Sequence, residues 1–188
     1  GIHQLDTMRY WAGDVAWVRA DYVHRDAEDI EDGGDNPYAY SVTFGFASGF
    51  LYNLSMARLR KTFYGDGYSG LMWDHGHVKI EGEEIAAYYY EGPYPPPSGS
   101  PSAAELRHIV AMPAKRDGTF HINECFVQAV ASNDVSPLRN TFSSSMNSHA
   151  AVLAANLSDK LGGRKIQLDA FATSTEFADF RRKPNQEI

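Results

Sequence analysis

The clearest pattern in the chain is an alternation of large and small side chains between residues 38 and 56. Aromatic and aliphatic residues take every second position, small residues fill many of the positions between, and Ser48-Gly49 interrupts the pattern. Successive side chains of a strand point to opposite faces, so this spacing predicts a hairpin with one bulky apolar face. The face of small residues can be solvated or can pack against a second sheet.

Shorter patterns predict the remaining elements. Helical spacing of apolar residues predicts helices at 3–12, 120–132 and 145–161, the last rich in alanine and capped by Ser143 or Ser144. Further strands are predicted at 16–24, 72–80, 84–90 and 165–168. Loops are expected at the acidic segment 26–36 and the proline-rich segment 92–101.

The order of these elements indicates the fold class. Strands follow one another with few helices and without βαβ alternation, which is typical of an α+β protein. We therefore expect a largely antiparallel open β-sheet with helices packed on one face. The pattern predicts one domain over residues 1–180, followed by a polar tail at 181–188.

Composition and charge exclude several classes of protein. The chain has 188 residues, of which 43% are hydrophobic and 22% charged, as in ordinary globular domains. Its formal net charge of -7 argues against a general nucleic-acid binder and against attachment to anionic lipid. Cys125 is the single cysteine, and no apolar run is long enough to span a bilayer. A cytoplasmic protein without nucleic-acid or membrane partners is expected.

Two short motifs have the spacing of ligand sites. The segment 65–70 matches the glycine spacing of a dinucleotide fingerprint, but no buried apolar strand precedes it, so a loop is expected. Asp74-His75-Gly76-His77 places two histidines on one face of a strand, as two zinc ligands require. Without a third ligand nearby, a hairpin loop is the favoured interpretation, and no metal site is predicted.

Two further groups of reactive or charged side chains are weaker. His121 and Cys125 are four residues apart on a predicted helix, the spacing of a Cys–His nucleophile pair, but the sequence offers no third orienting group. A lone cysteine is usually a small buried hydrophobe. Arg58, Arg60 and Lys61 form a basic run that is best interpreted as a solvated strand end.

The opening residues carry a resemblance to a known family. Gly1-x-His3-x-x-Asp6, followed by Arg9-Tyr10-Trp11-x-Gly13, resembles the start of the second domain of the Gfo/Idh/MocA oxidoreductases. The resemblance continues in order along nearly the whole chain. It includes Ser48-Gly49, the glycines at 67–70, Phe126, Ala129, Val130, Pro137, Ala155, Ser158, Gly162, Lys165, Ile166 and Leu168.

The resemblance implies a function and partners that belong to a longer polypeptide. The family has an amino-terminal Rossmann domain, so this chain would be the substrate-side and oligomerisation domain, inactive alone. The intact parent would use NAD or NADP to interconvert a hydroxyl and a ketone on a carbohydrate-like substrate, a sugar or polyol. No cofactor is expected on this chain alone, and a homo-oligomer through the sheet is implied.

The resemblance also implies site residues. His3 matches the family's catalytic histidine, while the aspartate four residues earlier and the lysine of the first domain lie outside this sequence. A histidine suits the task because hydride leaves a carbinol carbon only if a base takes the hydroxyl proton. Asp6 matches a second acidic position that more often anchors the helix, and Asp6 and Arg9 are the substrate-binding candidates.

Two other functions remain open from the sequence. The small-residue face of the 38–56 hairpin also fits a non-enzymatic dimerisation or ligand-binding module built on the same sheet. Some relatives within the family cleave glycosidic bonds through transient oxidation by bound NAD, and the sequence does not separate these from the dehydrogenases.

Overall fold

The computed structural model describes residues 2–24, 39–57, 69–74, 76–81, 84–93, 96, 99–111, 118–136, 138 and 141–180. The chain divides into two compact units, one formed by residues 1–60 and 138–188 and the other by residues 61–137. The predicted acidic loop at 26–36 and the polar tail at 181–188 lie outside the described residues.

The first unit is built on four strands, β1 (Val15–Val23), β2 (Ala39–Phe46), β3 (Leu51–Ala57) and β8 (Ile166–Gln167). They form an antiparallel sheet in the order β3-β2-β1-β8. The helices of this unit are α1 (Ile2–Ala12), α4 (Phe142–Lys160) and α5 (Leu168–Thr173), followed by a 3-10 helix at Thr175–Phe180. The predicted hairpin is confirmed, with Thr43 opposite Asn53 in the β2–β3 register. Gly49 adopts a φ of +87° in the turn, where glycine avoids the strain a side chain would bring.

The core lies between this sheet and α4. Val18, Val42 and Phe44 are buried on the inward face of the sheet, and the alanines of α4 allow the helix to approach closely. The alanine-rich helix is confirmed, but its cap is Thr141 rather than Ser143 or Ser144. The Thr141 side chain accepts from the Ser144 amide, and the Ser144 side chain accepts from the Thr141 amide. The helix therefore starts about one turn earlier than the apolar stripe indicates.

Helix α1 packs on the same core through its inward residues. Leu5 is 1% exposed, and Met8 and Ala12 pack against the core beside it. Gly13, at φ +82°, ends the helix and its amide donates to the Arg9 carbonyl. The helical spacing that predicted α1 included Trp11, yet Ala12 takes the inward position and Trp11 is exposed.

The outer face of the sheet carries mostly small and polar residues, and the Trp17 ring lies among them. A Cβ added to Gly45 would fall 2.0 Å from Cε2 of Trp17, so the indole lies directly over the glycine. The Lys165 ammonium is 3.9 Å from the centre of the Trp17 ring, a cation–π contact. Part of the small-residue face is therefore covered from within the chain.

The second unit holds another antiparallel sheet, in the order β4-β5-β6-β7. Its elements are β4 (Ser69–Trp73), β5 (Gly76–Glu81), β6 (Glu84–Tyr89), the short α2 (Ala103–Leu106), β7 (Arg107–Val110) and α3 (Gly118–Ser132). Stacked rings join neighbouring strands, with His77 on Tyr88 at 4.6 Å and Tyr89 on His108 at 4.1 Å between ring centres. Such cross-strand pairs stabilise a sheet.

The predicted α+β class is confirmed. In the described residues the strands form two four-stranded antiparallel sheets. Alternation along a single strand does not determine which strands it pairs with, so the sequence did not predict the division into two sheets.

Candidate functional site

His3 lies in the first turn of α1 with its side chain exposed to solvent. One turn later, the Thr7 hydroxyl donates to the His3 carbonyl oxygen at 3.0 Å, so this hydroxyl is used within the helix. The imidazole is therefore open to a ligand from outside, on a helix whose opposite face is fixed in the core.

Asp6 and Arg9, the other two predicted site residues, form one polar network with α4. Ser148 of α4, itself 1% exposed, donates its hydroxyl to Asp6 Oδ1 at 2.8 Å. Nη1 of Arg9 donates to the same carboxylate oxygen at 3.2 Å and to the Ser148 oxygen at 3.0 Å. Its Nη2 donates to Asp14 Oδ1 at 2.5 Å, just beyond the helix end.

This network supports an anchoring role for the two charged residues. The Arg9 side chain is 12% exposed and that of Asp6 is 32% exposed, so most of both surfaces is covered by protein. Charge-assisted bonds of this kind are stronger than neutral ones and fix geometry. They hold α1 at a set angle on α4, and so set the direction in which His3 projects. The substrate-binding role of Asp6 and Arg9 stays a prediction.

Two further residues hold the end of α1 and the start of β1, and sequence reasoning did not identify either. The Asn147 side chain accepts from the Val15 amide at 2.9 Å and donates to the Val15 carbonyl at 3.0 Å. In the hairpin turn, the Ser48 hydroxyl donates to the Ala12 carbonyl at 2.8 Å. Local sequence patterns do not reveal such contacts, because Asn147 and Val15 are 132 positions apart and meet only in the folded chain.

A second polar cluster lies at the other end of β1. The Asp159 carboxylate accepts from the Tyr22 amide at 2.8 Å and lies 2.7 Å from His24 Nε2. The Tyr22 hydroxyl donates to Asn156 at 2.9 Å. Burial, then the nearby Asp159 charge and Tyr40, raise the pKa of Tyr22 to about 12. These hydrogen bonds join β1 to α4, which indicates a structural cluster that holds the strand on the helix.

The pair His121 and Cys125 lies on α3 with a third group beside it. Cys125 Sγ is 3.8 Å from His121 Nε2, and Glu124 lies 3.7 Å from the other ring nitrogen. That second distance is too long for a hydrogen bond. The carboxylate therefore does not orient the imidazole, and the pair lacks the third group that an activated Cys–His nucleophile needs.

The weaker motifs fall partly outside the described residues. The residues that the structure does not describe include the segment 65–68, His75 and the basic run Arg58, Arg60 and Lys61. His77 is described, lies in β5 and stacks on Tyr88. Among the described residues, no group of three or more His, Cys, Asp or Glu side chains is placed to hold a metal ion. No helix within the described part of the chain is both long and apolar enough to cross a bilayer.

Comparison with known proteins gives a likeness in fold. No family model matches the chain. No curated protein matches its sequence at a significant level. An oxidoreductase from Agrobacterium radiobacter, solved with NAD+, L-tartaric acid and magnesium, aligns with 91% of this chain and 48% of its own at 16% identity and a TM-score of 0.61.

Two other solved structures are similar to the same extent. The aldose-aldose oxidoreductase from Caulobacter crescentus, complexed with glycerol, aligns with 89% of this chain and 45% of its own, at 16% identity and a TM-score of 0.65. Biliverdin reductase from Synechocystis, solved with biliverdin and NADP+, aligns with 84% and 44%, at 11% identity and a TM-score of 0.63. The chain thus shares the fold of a part, just under half the length, of several oxidoreductases, two of which were solved with NAD+ or NADP+.

Proposed function

We propose that this chain is the substrate-side and oligomerisation domain of an NAD(P)-dependent oxidoreductase that interconverts a hydroxyl and a ketone on a sugar or polyol. The observation that carries the proposal is a fold shared with just under half the length of oxidoreductases solved with NAD+ or NADP+. In this proposal a Rossmann domain precedes Gly1 and holds the dinucleotide. It supplies the missing half of the active site.

His3 is the proton-transferring residue of the proposed reaction. Its side chain is exposed at the start of α1, where a substrate can reach it. On oxidation, the imidazole accepts the proton of the substrate hydroxyl, the oxygen electron pair forms the C=O bond, and the carbon loses its hydrogen with the bonding pair. The bound nicotinamide supplies the acceptor for that hydride. Asp6 and Arg9 act on this step by fixing the helix through Ser148.

The proposed oligomer uses the outer face of the β3-β2-β1-β8 sheet. This face offers isolated apolar side chains, Leu51 at 56% and Val23 at 57% exposed, among polar residues such as Thr43 and Asn53. A mixed surface of this kind fits a self-complementary interface between two copies.

Substitution of His3 tests the catalytic assignment. In the polypeptide that includes the reading frame upstream of Gly1, His3→Ala is expected to lower kcat by about 100-fold to 10,000-fold, the range for loss of a general base. Dinucleotide affinity, measured by calorimetry, is expected to stay unchanged.

His24→Ala is the matched control, because this histidine is also exposed but lies at the far end of β1. Its turnover is expected to equal that of the unsubstituted protein. Unchanged turnover in His3→Ala would remove histidine from the mechanism. Cleavage of aryl glycosides with bound NAD, in place of net oxidation, would assign the protein to the glycosidase relatives instead.

A non-enzymatic dimerisation or ligand-binding module is the second candidate, favoured by the exposed Leu51 and Val23 on the outer face of the sheet. It predicts self-association of the 188-residue chain in sedimentation and no turnover in the longer polypeptide. A strictly monomeric chain at high micromolar concentration would remove the assembly role.

A further inference from the structure

Two consecutive residues of α4 hold the two arms of the corner between α1 and β1. Ser148 bonds to Asp6 and Arg9 of the helix. The Asn147 side chain accepts from the Val15 amide and donates to the Val15 carbonyl, at the first residue of the strand. The direction of α1 relative to the sheet is therefore set against a single turn of α4.

Asn147 takes the place of a neighbouring strand at Val15. The pairing of β1 with β8 comprises Trp17 and Val18, so it does not reach Val15. A bulge also interrupts the β1–β2 register between Val15 and Trp17. A side-chain amide has both a donor and an acceptor, so it can bond both backbone groups of one residue, as a partner strand does. Alanine at position 147 would remove both bonds.

The corner that Asn147 holds contains a residue with little intrinsic resistance to rotation. Gly13 lies there with a φ of +82°, and glycine has the widest range of backbone conformations. His3 lies at the far end of α1, about 15 Å along the helix axis, so a rotation of about 4° at the corner moves it by about 1 Å. A displacement of that size at a reacting group can cost about 100-fold in rate.

We propose that Asn147 is a positioning residue for proton transfer by His3. It fixes the start of β1 on the same turn of α4 that holds α1, and so fixes the angle at which the helix presents the imidazole. The inference rests on the proposed function, because that function gives His3 its reaction. It adds a residue that acts on the rate through the backbone of Val15.

Kinetics of the polypeptide that includes the reading frame upstream of Gly1 test the proposal. Asn147→Ala is expected to lower kcat by about tenfold through misplacement of His3, with KM and dinucleotide affinity unchanged. Asn156→Ala is the matched control, because Asn156 also lies on α4 and accepts from the Tyr22 hydroxyl of β1 at 2.9 Å. It removes a bond between the same helix and strand, away from the corner, and is expected to leave kcat unchanged.

Residual dipolar couplings of the 188-residue chain give a readout that needs no turnover. They report the direction of the α1 amides relative to the amides of β2. Asn147→Ala is expected to change the α1 couplings while those of β2 keep their values. In Asn156→Ala both sets are expected to match the unsubstituted chain.

The outcomes separate the two proposals. If Asn147→Ala keeps the unsubstituted kcat or the unsubstituted α1 couplings while His3→Ala is inactive, the positioning role is wrong and the proposed function stands. If Asn156→Ala lowers kcat as much as Asn147→Ala, the effect is a general loss of stability and the positioning role is again wrong. If His3→Ala retains full turnover, the proposed role of His3 fails and the positioning role fails with it.

Discussion

The Ser148 hydroxyl donates to the Asp6 carboxylate across a separation of 142 positions, at 2.8 Å. This bond joins the middle of α4 to the first half of α1. Arg9 donates to both partners, so three side chains share one partly buried junction. This junction fixes α1, and with it His3, on α4, together with the packing of Leu5 and Met8 in the core.

Replacement of Ser148 by alanine is expected to lower the free energy of unfolding by about 1–2 kcal/mol, the usual cost of leaving a buried polar group without its partner. Urea titration followed by circular dichroism measures the change. Ser145→Ala is the control, because the Ser145 hydroxyl donates only to the Phe142 carbonyl of its own helix. Its expected change is below about 0.5 kcal/mol. Equal losses in the two variants would contradict the junction.

Arg9→Lys keeps the charge and removes the planar fork of donors. Arg9 bonds Asp6, Asp14 and Ser148 at once, which a single ammonium group does not reproduce. The free energy of unfolding is expected to fall by about 1–2 kcal/mol. Arg19→Lys, at an exposed position on β1, is expected to leave stability unchanged. A loss of stability in Arg19→Lys as large as that in Arg9→Lys would show that the geometry of the junction is irrelevant.

The raised pKa of the Tyr22 phenol predicts that the folded chain loses stability at alkaline pH. Its pKa is raised from 10.0 to about 12, chiefly by burial. Because the phenol ionises less readily in the folded state, its contribution to the free energy of unfolding is complete below pH 10 and is lost as the pH rises towards 12. After allowance for solvent screening of this partly exposed group, the loss is about 1 kcal/mol.

Urea titrations at several alkaline pH values measure this loss. Tyr22→Phe removes the titrating group, so its stability is expected to fall less over the same range. Tyr10→Phe, at an exposed position, is the control and is expected to keep the full alkaline loss. The same slope in Tyr22→Phe as in the unsubstituted chain would contradict the assignment.

Gly45→Ala is expected to displace the Trp17 ring. The added Cβ would lie 2.0 Å from the indole, so the ring must move and lose its contact with Lys165. Overpacking of this kind costs about 1–3 kcal/mol. Thermal unfolding and tryptophan emission measure the change. Gly118→Ala is the control, because a Cβ there meets nothing within 4 Å. An unaltered emission spectrum in Gly45→Ala would be inconsistent with the close contact.

The sequence predicted the elements well where a strong periodicity was present. The 38–56 alternation predicted both the β2–β3 hairpin and its buried face, because a side-chain period of two fixes which residues point inward. The alanine stripe predicted α4 for the same kind of reason. Its start was placed too late, because the capping box at Thr141 has no apolar signal.

What the sequence determined by itself was the α+β class and the presence of His3 in an opening helix, since both follow from local spacing. Only the tertiary structure decided that Asp6 and Arg9 bond to Ser148, that Trp17 covers Gly45, and that the strands pair as two sheets. These relationships join residues far apart in the chain. They arise from the packing of whole faces against each other, which no local pattern encodes.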